Sequence, residues 1–279
     1  MAGRVRGFTL IELAVVIAIV ALLLGALLVP LATQIQTRNI KETRESLAEI
    51  KEALMGYAMT QGRLPCPDTD PVPDGFENNV PPCGTWPQST EGFLPYLDLG
   101  VPATDAWGRV FRYAVASEFT YPTSPGAPPG IGNDQLDLTD TSSPFGLITV
   151  NTRGDNPSLG GGGETKEIIG LSTRSPAVVL SVGSDGFGGT WLDSAGTLPP
   201  TATSTDERIN VDSTPANFPI PPIVAAPPWR TFIRRHHTPT AATCDNTTEG
   251  QPFCEYDDLL IWLSAPVLFN RLVEARQLP

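Results

Sequence analysis

Few residues in this chain have types and spacings that could do chemistry, and the first is an acid in apolar surroundings. In "RGFTLIELAVVIAIVALLLGALLVPL", residues 6–31, Glu12 precedes a stretch, Leu13 to Leu31, that holds no charged side chain. At ~1.5 Å per residue the stretch covers roughly 28 Å, close to the hydrocarbon core of a bilayer. An acid in that setting costs on the order of 2–3 kcal/mol and requires a positive partner. The second group is four cysteines in two local pairs, Cys66 with Cys83 and Cys244 with Cys254. An even count at short separations, behind a bilayer-length apolar stretch, predicts two disulfides made in an oxidising compartment. Metal thiolates are the poorer alternative, because no C-x-x-C spacing occurs. Acids beside turn residues form the third group. Asp68, Asp70 and Asp74-Gly75 invite comparison with a calcium loop, but Val72 stands where the fifth-position ligand belongs. Short acids in turns more commonly bond their own backbone. The fourth is "WRTFIRRHH", residues 229–237, a basic and aromatic cluster that could meet phosphates or an acidic partner. An amphipathic strand whose arginines meet local carboxylates is the simpler reading.

Nothing here resembles a catalytic constellation. There is no G-x-S-x-G, no H-E-x-x-H and no Cys/His dyad, and the two histidines, His236 and His237, are adjacent. The expectation is a protein that is not an enzyme. The formal charge of −12 argues against broad binding to nucleic acid.

The elements that must position these groups can be read from periodicity. The apolar run is hydrophobic on all sides, too long for a secretory h-region, and no A-x-A site follows it. Arg4 and Arg6 before it compete with Arg38, Lys41 and Arg44 beyond it, so charge alone leaves the topology open. Beyond Pro30, Ile40, Leu47, Ile50, Leu54 and Tyr57 recur at helical spacing between charged residues. One helix from about Thr9 to Thr60 is expected, bent at Pro30 and ended by Gly62 and "LPCP". Its first half suits a membrane or filament core, and its second half suits packing on a sheet. Strands are expected at 110–115, at 145–150, from Glu167 to Leu171 and from Val178 to Val182. Residues 122–144 and about 196–255 read as Pro/Thr-rich insertions, the second holding a cysteine pair. The segment 259–278 reads as a helix that Asp257 or Asp258 could cap. With 41% hydrophobic residues beside 29 Pro and 26 Gly, a loop-rich globular domain follows rather than a disordered chain.

"GFTLIELAVVIAIVALL" resembles the class III signal of type IV prepilins and pseudopilins. The resemblance implies that a prepilin peptidase cuts after Gly7 and that Phe8 becomes an N-methylated terminus. It supplies the partner that Glu12 needs, the Phe8 amine of a neighbouring subunit, since two buried charges are tolerable when they neutralise each other. "TDAWGRVFRY" is similar to the D-P-W-G element of major type II secretion pseudopilins, with Ala106 in place of its proline. "SVGSDGFGG" resembles their calcium loop, and "YDDLLIW" the segment that closes it. The resemblance therefore implies calcium at Asp185 and Asp257 or Asp258, helped by backbone oxygens near Leu180, Ser181 and Gly183.

The fold class expected is α+β, type IV pilin-like: a long N-terminal helix on an antiparallel sheet, with loop-rich insertions and two disulfides. The implied organisation is a cleaved leader at 1–7, a transmembrane or filament-core helix at 8–31, an amphipathic helix at 32–61, and a globular domain at 62–279. The implied role is a minor pseudopilin, held in the inner membrane with its domain in the periplasm and filament-associated after assembly. Its partners would be other pilin or pseudopilin subunits, the prepilin peptidase, and a secretion or pilus assembly platform. The rival reading is a minor pilin for adhesion or DNA uptake that binds its ligand through residues 196–255.

Overall fold

In the computed structural model the described residues are 9–78, 83, 89–120, 148–153, 166, 168–192, 204–211, 230–239, 243–248 and 251–275, without the side chains of 24–32. The expected leader, 1–7, and the whole of the 122–144 insertion lie outside them. Helix α1, Leu10–Gln61, continues through Pro30. It ends where Gly62 turns left-handed, φ 68°, and donates its N–H to the Ala58 carbonyl at 2.9 Å. The chain divides into two units, residues 1–41 and 42–279. In the first, apolar side chains stand exposed, Leu10 at 88% and Leu22 at 74%. Among the described residues no helix is long and apolar enough to cross a membrane. The expected span at 8–31 is described only from Thr9 to Leu23 in its side chains.

In the second unit Leu47, Ile50, Leu54 and Ala58, three or four residues apart on α1, are buried. They share a core with Phe111, Tyr113, Val115, Val179 and Leu180. Those last residues belong to an antiparallel sheet. Its strands are β1 (Ser89–Phe93), β2 (Arg112–Ala116), β5 (Ala177–Ser181) and β7 (Leu259–Trp262), in the order β1-β2-β5-β7. A short helix, α2 (Tyr96–Leu99), follows β1. The amphipathic half of the long helix thus packs on an antiparallel sheet, in an α+β architecture.

A second sheet was not foreseen. It contains β3 (Ile148–Arg153), β4 (Ile168–Ser175) and β6 (Arg230–Ile233), in the order β4-β3-β6. The β3/β4 pair is antiparallel and shifts register twice, whereas β3 and β6 run parallel. A parallel pair needs a long crossover, and the large insertion supplies part of one. That insertion also carries helix α3, Thr205–Val211. Helix α4, Ala265–Glu274, has a proline in its first turn and buries Ala265, Leu268 and Leu272. Helix was expected from residue 259, but 259–262 form β7 because their backbone pairs with β5, Ser181 opposite Leu259. Disulfides join Cys66 to Cys83 and Cys244 to Cys254.

Candidate functional site

Strand β5 leaves the sheet into a loop that three glycines allow to fold tightly, Gly183, Gly186 and Gly188, with φ of 63°, 73° and 69°. Asp257 stands just ahead of β7, and the β5/β7 register brings its carboxylate against that loop. Its Oδ2 accepts from the Ser184 N–H and Oγ at 2.6 Å each, and from the Asp185 N–H at 2.8 Å. A built Cβ on Gly183 would collide with the Asp257 carboxylate and carbonyl, so only glycine lets the strands approach this closely. Asp185 in turn accepts the Phe187 N–H at 2.9 Å.

The third acid comes from α3. Glu207, 1% exposed, accepts the Asp257 N–H on Oε1 at 3.0 Å. Asp185, Glu207 and Asp257 each offer a carboxylate oxygen, and the three oxygens lie within 4.8 Å of one another. Burial first, then the neighbouring Asp258, Asp185 and Asp257, pushes the Glu207 carboxyl up to about 9. Burial, then Asp257 and Glu255, raises Asp185 to about 6. Asp257 is 4% exposed, and its Oδ1 has no hydrogen-bond partner among the described residues. Three crowded carboxylates with an open buried lone pair suit a hard divalent cation, which takes oxygen ligands.

The resemblance left Asp257 and Asp258 as alternatives, and the geometry separates them. Asp258 lies outside the group of three. Its Oδ2 accepts from the Asn210 amide at 2.8 Å, and burial holds its carboxyl well above the usual carboxylate range. One expected backbone donor is already engaged, since the Arg109 guanidinium donates to the Gly183 carbonyl, and also to that of Ser184 at 2.9 Å. Arg109 is fixed by its own N–H on Asp105 Oδ1 at 2.9 Å and by stacking 5.7 Å from the Trp191 ring. The other Asp105 oxygen accepts Ser181 Oγ at 2.7 Å. The D-x-W-G turn therefore braces the glycine loop.

Sequence reasoning missed Glu207. Its signal was a Ser204-Thr205-Asp206-Glu207 start, the usual chemistry of a helix N-terminus, inside a stretch otherwise read as loop. Asp68, Asp70 and Asp74 also converge within 4.8 Å, but the oxygens of Asp68 and Asp74 serve the turn. Asp68 accepts the Asp70 and Gly75 N–H groups, and Asp74 that of Phe76. Two arginines of the basic cluster are turned inward. Arg230 pairs with Glu91, and Arg235 with Asp206 at 2.9 Å, carboxylates distant in sequence rather than local ones. Arg234, His236 and His237 are exposed.

At the amino end, Glu12 caps its own helix. It accepts the Thr9 N–H at 2.8 Å and Oγ1 at 2.9 Å, while its N–H donates to Thr9 Oγ1 at 3.3 Å. Gly7 and Phe8 lie outside the described residues. A family model, the prokaryotic N-terminal methylation motif, matches residues 3–28. Residues 3–28 are a prepilin-type signal. This cleavage and methylation signal is that of type IV pilins and pseudopilins, and it marks the chain as pilin-like. The prepilin signal implies processing by a prepilin peptidase, assembly with other pilin subunits, and a membrane anchor that gives way to a filament. No curated protein and no solved structure matches the chain.

Proposed function

We propose that the chain is a non-enzymatic structural subunit of a type IV pilus-like filament, a minor pseudopilin of a type II secretion system or a related machine. The observation that carries this is the signal at 3–28, with Glu12 four residues beyond Phe8. In the precursor the apolar part of α1 sits in the inner membrane and the domain faces the periplasm. After the cut behind Gly7, exposed apolar side chains such as Ile11, Leu22 and Leu23 pack against other subunits. Glu12 exchanges its Thr9 contacts for the Phe8 amine of a neighbour, since a charge pair buried in apolar surroundings must be complete to be tolerable. Replacing Glu12 with Ala is expected to leave cleavage intact and to stop incorporation into filaments, read by immunoblotting sheared fibres. Normal incorporation of that variant would refute the pairing.

Calcium belongs to the same reading, held by Asp185 and Asp257 with Glu207 beside them. When bound, the ion would neutralise carboxylates that otherwise repel. Chelation with EGTA should lower the melting temperature of the full chain in detergent, because a ligand of the folded state alone stabilises it. An unchanged value would remove the ion. Among the described residues of 196–255, the rival ligand-binding role gains little support, since α3 buries Asp206, Glu207 and Asn210 and β6 is largely buried.

A further inference from the structure

We propose that the cation, on the reading above, is a clasp: it fastens the inserted helix α3, through Glu207, to the first sheet, so that loading the site and seating α3 are one event. The helix carries adjacent acids into opposite surroundings. Asp206 faces cations, with Arg153 Nε at 2.7 Å and Arg235 Nε at 2.9 Å. Glu207 faces acids, with Asp185 and Asp257 inside the same 4.8 Å group. One side of α3 is electrostatically complementary to its seat, and the other is repelled unless a proton or a cation intervenes.

The remaining contacts tie α3 chiefly to the second sheet. Asn210 accepts the Ile233 N–H at 2.7 Å and donates to the Ile233 carbonyl at 2.9 Å. Arg230 donates to the carbonyls of Ile209 at 2.5 Å and Asn210 at 2.7 Å. Toward the first sheet, α3 offers Asn210 to Asp258, Glu207 to the Asp257 N–H, and Val211 against Gly188. The ligand-bearing loop and Asp257 belong to the first sheet, while Glu207 travels with the second. A cation shared by the three carboxylates therefore spans both. An independent sign that the seat is built for a ligand is Asp257 itself, 4% exposed and with Oδ1 unpartnered among the described residues. Linkage then requires that calcium favour the seated helix as strongly as the seated helix favours calcium.

The test uses the full chain in detergent, with calcium chloride or EGTA. Amide hydrogen exchange at 204–211 and 230–233 should slow on adding calcium. Glu207→Gln keeps an oxygen for the Asp257 N–H but removes the charge. It should weaken calcium binding by at least about tenfold in titration calorimetry, and abolish the calcium-dependent protection of 204–211. Calcium bound equally by wild type and E207Q, with exchange at 204–211 unaffected by the ion, would overturn the clasp and leave the calcium reading standing. No heat of binding in wild type would overturn both. If E207Q fails to fold, the wild-type exchange comparison decides alone.

Discussion

Replacing Asp206 with Asn asks whether the inserted helix belongs to the core or is an appendage free to recognise a ligand. Asp206 is fully buried, and it lies between two arginines whose side chains are 8% and 3% exposed. Arg153 Nε donates to Oδ1 at 2.7 Å, whereas Arg235 Nε approaches Oδ2 at 2.9 Å without hydrogen-bond alignment. Burial raises the Asp206 carboxyl despite both cations and lowers the Arg235 guanidinium despite the acid. Desolvation thus offsets much of the attraction, and an apolar replacement of the whole triad would cost little. Removing the acid alone is different, because it strands two guanidinium groups in the interior. Arg235 keeps some compensation, stacked 4.7 Å from the Phe253 ring and 4.8 Å from the Tyr256 ring. Breaking a buried pair on one side costs about 3–5 kcal/mol. For a domain of this size that is a fall in melting temperature of roughly 10 °C. The assay is thermal unfolding of the full chain in detergent with calcium present, followed by near-ultraviolet circular dichroism. A fall worth less than about 1 kcal/mol, the range of an exposed pair, would refute the burial argument and revive the insertion as a detachable module.

Other consequences can be measured on the same preparation. In EGTA, stability should decline as pH rises. Asp185 and Glu207 ordinarily titrate at 3.8 and 4.5 but are raised to about 6 and about 9 in the fold. The folded chain therefore binds more protons than the unfolded one across that window, and this contribution is lost as pH climbs through the raised values. Melting temperatures from about pH 5 to 9 that rise in EGTA, or an equal slope with saturating calcium, would contradict the cluster's electrostatics. Gly183→Ala should destabilise the domain and abolish the calcium response, since φ is 63° and the added methyl meets the Asp257 carboxylate. A calorimetric calcium signal identical to wild type would contradict that packing. Cys66→Ser with Cys83→Ser opens a loop of sequence separation 17 and should cost about 3 kcal/mol in guanidinium unfolding. No change in the midpoint would show that this loop contributes nothing.

How much was legible depended on how local each interaction is. The signal around Gly7, Phe8 and Glu12 is a linear motif, because a peptidase and an apolar helix both read consecutive residues. The course of α1 beyond residue 40 follows from the spacing of Leu47, Ile50 and Leu54, and the glycine loop from the left-handed turns that Gly183, Gly186 and Gly188 permit. The segment 259–262 misled, because short apolar runs satisfy helix and strand alike until a neighbouring strand supplies backbone partners.

By itself, then, the sequence determined the prepilin signal, the long helix, the cysteines available for pairing and the acid of the glycine loop. Tertiary structure alone decided that Glu207 joins Asp257, 50 residues away. It also decided that Asp257 rather than Asp258 faces the loop, and that Arg230 and Arg235 are consumed by distant carboxylates. It made β3 and β6 a parallel pair. The physical reason is that charge compensation and strand pairing act through space. A residue's local sequence sets what its side chain can do, and packing sets which remote group it does it to.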